Sequence, residues 1–247
     1  MRLFLAFAAV SLVACSSTPR PLGPAHDRAL GAFSELVVEG APEVDVTVGP
    51  AESARVACSE DDAARIALHL EGNRLVVEHR ERGWTSSRCK VTLTTPRLTS
   101  LESSGAAKIV VHGKTALAKI ELDGAGSVDA EAIEGEGLEV ESSGASNVTL
   151  RGVAVKRMKL SLDGAGKATF AGTADSASFE VEGAGSLDAR SLVTESTKLA
   201  LSGAGGATVN ATRKAVVSID GVGSARVLGN PPERSQDRSG LGSVHFE

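Results

Sequence analysis

The chain of 247 residues contains no tyrosine, a single tryptophan and only 3% aromatic residues. Stacking platforms for bases or sugars are therefore scarce, and this argues against single-stranded nucleic-acid binding. Charge argues the same way: 26 Lys+Arg against 31 Asp+Glu leave a mixed, mildly acidic chain of net charge −5, with no basic stripe for a duplex. No nucleic-acid partner is expected. The five histidines (His26, His69, His79, His112, His245) show no spacing that would serve a metal or a catalytic triad, and each reads as a surface or loop residue. No metal, no cofactor and no catalytic residue are expected.

One apolar stretch stands at the start, "MRLFLAFAAVSLVAC". Arg2, the apolar run from Leu3 to Ala14 and the small residues before Cys15 follow the plan of a secretory signal, and the run is shorter than the roughly 20 residues of a membrane-spanning helix. "LVAC" at Leu12 to Cys15 resembles the bacterial lipobox, in which cleavage before the cysteine leaves a lipid-modified amino terminus; an ordinary signal with an incidental cysteine is the alternative. Residues 1–14 are thus expected to be a lipoprotein signal peptide, Cys15 the lipid anchor, and the Ser/Pro-rich residues 15–32 a tether to the membrane. Ser16 lies where such signals commonly carry aspartate for retention at the inner membrane, so an outer-membrane address is expected in a Gram-negative cell.

Two further cysteines remain in an exported, oxidising setting. Cys58 shares strand parity with Val56, and Cys89 with Val91 and Leu93. A Cys58–Cys89 disulfide would close a loop of about 30 residues and contribute roughly 3–4 kcal/mol on the chain-entropy model; two buried free thiols are the alternative. Residues 33–100 read as strands without a glycine repeat. "EVDVTVG" alternates Val44, Val46 and Val48 with polar residues, "IALHLEGNRLVVEH" reads as a hairpin turning at Gly72-Asn73, and "DDAAR" reads as a helical turn capped by Asp61. This segment is expected to cap one end of residues 101–247.

What the sequence has in quantity is glycine, 27 residues, and much of it is periodic. From residue 101 to 247 a phrase of the type "DGAG" or "SGAG" recurs, with its first glycine at Gly105, Gly124, Gly144, Gly164, Gly183, Gly203, Gly221 and Gly240, in steps of 18–20 residues. A fixed period of this size signals stacked units too small to fold alone. Four residues after each glycine stand Ile109, Val128, Val148, Ala168, Leu187, Ala207, Ala225 and Val244, and six after stand Val111, Ala130, Leu150, Phe170, Ala189, Val209, Val227 and Phe246. Polar residues fill the column between, apart from Val110. That is period-two alternation, so a strand follows each glycine. A second strand leads in, through Leu101, Ile120, Val140, Leu160, Phe179, Leu199 and Val217, with Gln236 breaking the column in the last repeat. Because parity survives the turn, the glycines are expected to face inward at a corner where a side chain would strike the core. The expected fold is all-β, a right-handed parallel β-solenoid of 18–20 residues per coil; an antiparallel meander would reverse strand direction at each hairpin.

The order "FSELVVEGAPEVDVTVG", "GNRLVVEH", "PRLTSLESSGAAKI", then "DGAG" and "SGAG" corners down to "SGLGSVHF", resembles the bacterial family of putative auto-transporter adhesins with a head GIN domain, over roughly Phe33 to Phe246. The resemblance implies a β-helical exported domain, frequently on lipoproteins. No segment is left over for a membrane barrel, so self-transport is not expected.

The repeat could instead carry chemistry. The residues before the corner glycines read Ser104, Asp123, Ser143, Asp163, Glu182, Ser202, Asp220 and Ser239. Serine separates most of the carboxylates, which looks like relief of repulsion between neighbouring rungs and not like a calcium cage. Polysaccharide-active enzymes also use β-helices, but here the acids fall in repeated outward columns that read as a solvated face. Trp84, in polar "ERGWTSS", reads as a loop residue or as a binding anchor. The functional expectation is a non-catalytic envelope lipoprotein held to the membrane by its lipid, binding an envelope protein or glycan. A structural envelope role without a specific ligand is the alternative.

Overall fold

The computed structural model describes residues 21–59, 64–80 and 89–247, and every regular element among them is a strand. The first seven are β1 (His26–Arg28), β2 (Glu35–Gly40), β3 (Glu43–Val48), β4 (Ser53–Cys58), β5 (Ile66–Glu71), β6 (Arg74–His79) and β7 (Cys89–Thr95). The glycine repeats follow as β8 (Ser100–Gly105), β9 (Lys108–His112), β10 (Lys119–Gly124), β11 (Ser127–Glu131) and β12 (Glu134–Gly144). Longer strands then run around the corners unbroken: β13 (Asn147–Gly164), β14 (Lys167–Gly183), β15 (Ser186–Gly203) and β16 (Gly206–Gly221). The stack closes with β17 (Ser224–Leu228), β18 (Glu233–Gly240) and β19 (Ser243–Phe246).

Each repeat pairs in parallel with the next, glycine on glycine: Gly105 with Gly124, Gly124 with Gly144, and so on to Gly221 with Gly240. Parallel pairing rules out the meander and makes the chain a β-solenoid of about seven turns. The alternating columns fill its interior. Ile120, Leu160, Leu199 and their equivalents are buried, as are Val128, Val148, Leu150 and Phe170. Each fully buried side chain of this size contributes roughly 1.5–3 kcal/mol. Phe170 and Phe179 stack inside the coil with centroids 6.2 Å apart. Two pairs of polar residues turned inward satisfy each other: Ser142 and Ser146 hydrogen-bond at 2.6 Å, and Thr194 pairs with Thr197 at 2.6 Å and donates to the Asn210 carbonyl at 2.9 Å.

The reason for the corner glycine differs from the expectation. All eight have positive φ, between 83° and 118°. A Cβ on Gly164 would lie 2.3 Å from the carbonyl oxygen of Gly144, one rung back, and a Cβ on Gly124 would lie 2.5 Å from that of Gly105. The forbidden direction is along the stack and not into the core. That oxygen is already engaged, accepting from Ala165 N at 2.9 Å and, at the other rung, from Ala125 N at 2.8 Å. Each corner thus hands a backbone hydrogen bond to the next, and a side chain at the glycine would land on the acceptor.

The segment before the repeats also departs from the simple cap expected. Gly40 (φ 89°) pairs with Gly105, and Ala106 N donates to its carbonyl at 2.9 Å. β2 and β3 are therefore a full rung of the solenoid, cornered by the glycine of "EGAP". β6 and β7 pair in parallel with β2 and β3 on the side away from the repeats, so the chain lays down the second rung first, builds outward, and crosses back to β8. The cap proper is antiparallel: β5 on β6, β4 on β7, and β1 on β4. Gly72 turns the β5–β6 hairpin with φ 65°. β1 falls within residues 15–32, so His26–Arg28 of the stretch expected as a tether are paired onto the cap. The disulfide joins Cys58 and Cys89, directly paired residues at the ends of β4 and β7. The helical turn expected at Asp61 lies outside the described residues.

At the other end, among the described residues β18 pairs only with β16, and all eight of its residues are exposed. Val244 and Phe246 are partly buried, and Arg234 lies over the Phe246 ring at 5.3 Å.

Candidate binding trough on the stack face

Outward residues of the solenoid stand in columns at the strand spacing of about 4.8 Å, so each charge meets the residue one rung away. Most charges are consumed there. Arg151 contacts Asp129 at 2.6 Å, Lys159 contacts Glu139 at 2.6 Å, Lys156 contacts Glu136 at 2.9 Å and Lys114 contacts Glu134 at 2.8 Å. Exposed pairs of this kind contribute about 0–1 kcal/mol each; their repetition favours this register over slipped ones.

On the face that follows the glycine corner the charges thin out, at Asn147 and Thr149 of β13 and again at β16. The rung of β16 presents Gly206 and Thr208 there, with no charge. Arg190, one rung back, folds onto Asp188 of its own strand at 2.8 Å, and Arg226, one rung on, turns to Glu247 at 3.3 Å. Between them lies a trough of about 460 Å³. Lys167 stands at one end and His245 at the other, with Ser186, Thr208, Ser224 and Ser243 along the floor. Burial pushes the Asp188 carboxyl up, but hydrogen bonds from the Arg190 side chain and backbone, with the charges of Arg190 and Lys167, outweigh it and hold the pKa below the ordinary value. Glu78 and Glu136 are likewise held low, by hydrogen bonds from Arg80 and Lys156.

Two other concavities lie on the stack. One of about 530 Å³ lies over Leu138, Met158 and Ala177, with Lys159 already closed on Glu139. Another of about 220 Å³ follows the serine-spaced ladder, where Ser143 donates to Asp123 at 2.8 Å. Among the described residues no group of three or more His, Cys, Asp or Glu is placed to hold a metal ion.

Of the residues singled out in the sequence, Cys15 and Trp84 lie outside the described residues. The eight glycines form the corner ladder, and Cys58 and Cys89 tie the cap. His79 is buried, contrary to its reading as a surface or loop residue, because it ends β6 between Gly40 of β2 and Ile66 of β5. His245 joins the trough, a placement that its spacing in the sequence did not show. The signal was the glycine that directly follows the corner in "SGAGGAT", a position held by Ser or a larger residue in the other repeats.

A single-chain parallel β-solenoid with one antiparallel cap, a polar last rung and a mixed-charge surface trough is the class these features define. The model of the family "Putative auto-transporter adhesin, head GIN domain" matches residues 32–231, and the chain belongs to that family. Solved structures share the fold. A putative adhesin from Bacteroides fragilis is 19% identical, with 93% of this chain and 99% of that one covered and a TM-score of 0.70. A putative lipid binding protein from Parabacteroides distasonis is 21% identical, with 91% and 96% covered and a TM-score of 0.81. A putative adhesin from the same organism is 18% identical over 91% and 96%, with a TM-score of 0.78. No curated protein matches the chain significantly.

Proposed function

We propose that this protein is a non-catalytic binding module of the bacterial cell envelope, anchored through a lipid on Cys15 and presenting the trough on its stack face to a ligand. The observation that carries the reading is the uncharged rung at Gly206 and Thr208, flanked by Arg190 and Arg226 that turn to Asp188 and Glu247, which opens a lined concavity on the stack face. Names given to proteins of the same fold, adhesin and lipid binding protein, agree with a binding role. Trp84 is a second candidate contact.

The test has two arms. Cys15→Ser should abolish labelling by radioactive palmitate and release the protein from membranes; a mutant that fractionates like wild type removes the anchor. The full chain should retain an envelope polysaccharide or protein saturably and release it unchanged. Cleaved product would overturn the non-catalytic reading, and failure of every envelope fraction to saturate would favour a structural role.

A further inference from the structure

We infer that the trough binds a linear acidic polysaccharide laid along the stacking axis, an inference that rests on the binding-module reading. From Lys167 to His245 the trough crosses four strand spacings, about 19 Å. Its long direction is therefore set by the repeat and suits a polymer more than a compact metabolite. Ser186, Thr208, Ser224 and Ser243 recur one per rung along the floor, and hydroxyls that both donate and accept match the hydroxyls of a sugar chain.

Charge then selects the kind of sugar. Lys167, Arg190 and Arg226 line the trough against one lining carboxylate, Asp188, and the cations stay in excess when Glu247 at the rim is counted. This lies on a chain whose net charge is −5. Both guanidiniums are tied through Nε, to Asp188 and to Glu247, an arrangement that fixes the planes while their terminal nitrogens supply the planar fork that carboxylates accept. Among the described residues the trough offers no Phe, Tyr or Trp ring for stacking, so a sugar chain would be held through its hydroxyls and carboxylates. A nucleic acid would need both rings and a denser field of cations.

Gly206 provides the decisive variant. Its φ is not in the left-handed range, and a Cβ there would meet only the Ser224 hydroxyl at 3.7 Å and the Ser224 carbonyl oxygen at 3.9 Å. Gly206→Gln should therefore fill the floor and leave the fold intact, which an unchanged thermal melt would show. Binding of the full chain, purified in mild detergent, is measured calorimetrically with hexamers of galacturonic acid, mannuronic acid and hyaluronan. The fully methyl-esterified galacturonic hexamer and polyglutamate serve as controls. At least one acidic hexamer should bind, with its ester weaker by about tenfold or more, as loss of hydrogen bonds to charged groups implies. Gly206→Gln should abolish binding and Arg226→Gln weaken it about tenfold. Arg151→Gln, on the same face but paired with Asp129, should change nothing. Equal binding of the ester or of polyglutamate, an unaffected Gly206→Gln, or no binding of any acidic hexamer would overturn the inference. The binding-module reading would fall only if envelope fractions also failed to saturate the protein.

Discussion

The cap and the stack solve the same problem by different means. In the stack, register comes from the backbone: a glycine at every corner keeps a carbonyl free for the next rung, so each repeat positions its successor without long-range help. In the cap the strands lie out of chain order, with β6 and β7 outside β2 and β3, and no corner ladder aligns β4 or β5. There a hairpin, antiparallel pairing and one covalent link take over. Repetition propagates a structure but cannot begin or end it, and the ends need individual chemistry.

The largest expected effect separates the two kinds of glycine. Gly164→Ala combines φ 114° with a Cβ 2.3 Å from a bonded carbonyl. It should cost about 3 kcal/mol or more, because strained backbone alone costs roughly 1–3 kcal/mol and the neighbouring rung must also shift. Gly72→Ala in the cap hairpin meets nothing within 4 Å and has φ 65°; it should cost only about 1–2 kcal/mol. Denaturant titrations of the two variants check the order, and equal losses would break the distinction. Next in size, Cys58→Ala with Cys89→Ala should cost roughly 3–4 kcal/mol. Hydrogen exchange should show the loss concentrated in β4–β7, with β13–β16 still protected; uniform loss would show cap and stack to be one cooperative unit.

A smaller effect probes the ladder of Asp123, Ser143 and Asp163. Ser143→Asp removes the hydrogen bond to Asp123 and places carboxylates on successive rungs. The repulsion should cost about 0.2–1 kcal/mol and shrink in high salt. A calcium-specific rise in the wild-type Tm at matched ionic strength would reject the structural reading of this ladder. Smallest is a titration inside the trough. The Asp188 pKa is depressed in the folded state, so its contribution to stability is present above the unfolded value of about 3.9 and is lost as pH falls through the lower folded pKa. Carboxyl NMR should place Asp188 below that value, and Arg190→Gln should move it back up.

The stack was legible in the sequence because its signals repeat: one aligned column is weak, but eight instances of Ile109, Val128 and their equivalents leave one reading. The cap was legible as strands and as a hairpin but not in its arrangement, since alternation in "EVDVTVG" says which side is buried and not which strand lies beside it. Gly40 was missed as a corner because Gly105 follows only after 64 intervening residues and proline replaces the second glycine. The trough was harder still. A binding surface made by the absence of charge at Gly206 and Thr208 shows only once the neighbours in space are known.

The exposed strand β18 bears on assembly. Its edge away from β16, unpaired among the described residues, is where another chain could add. Two copies of β18 paired antiparallel about a two-fold axis must oppose residues whose numbers sum to an even value, because opposed side chains share a face. Sums of 466 and 470 oppose Glu233 to itself and to Asp237, those of 468 and 472 oppose Arg234 to itself and to Arg238, and those of 474 and 476 oppose Asp237 to itself and Arg238 to itself. Each of these registers sets like charges face to face, so two stacks are discouraged from joining end to end through β18.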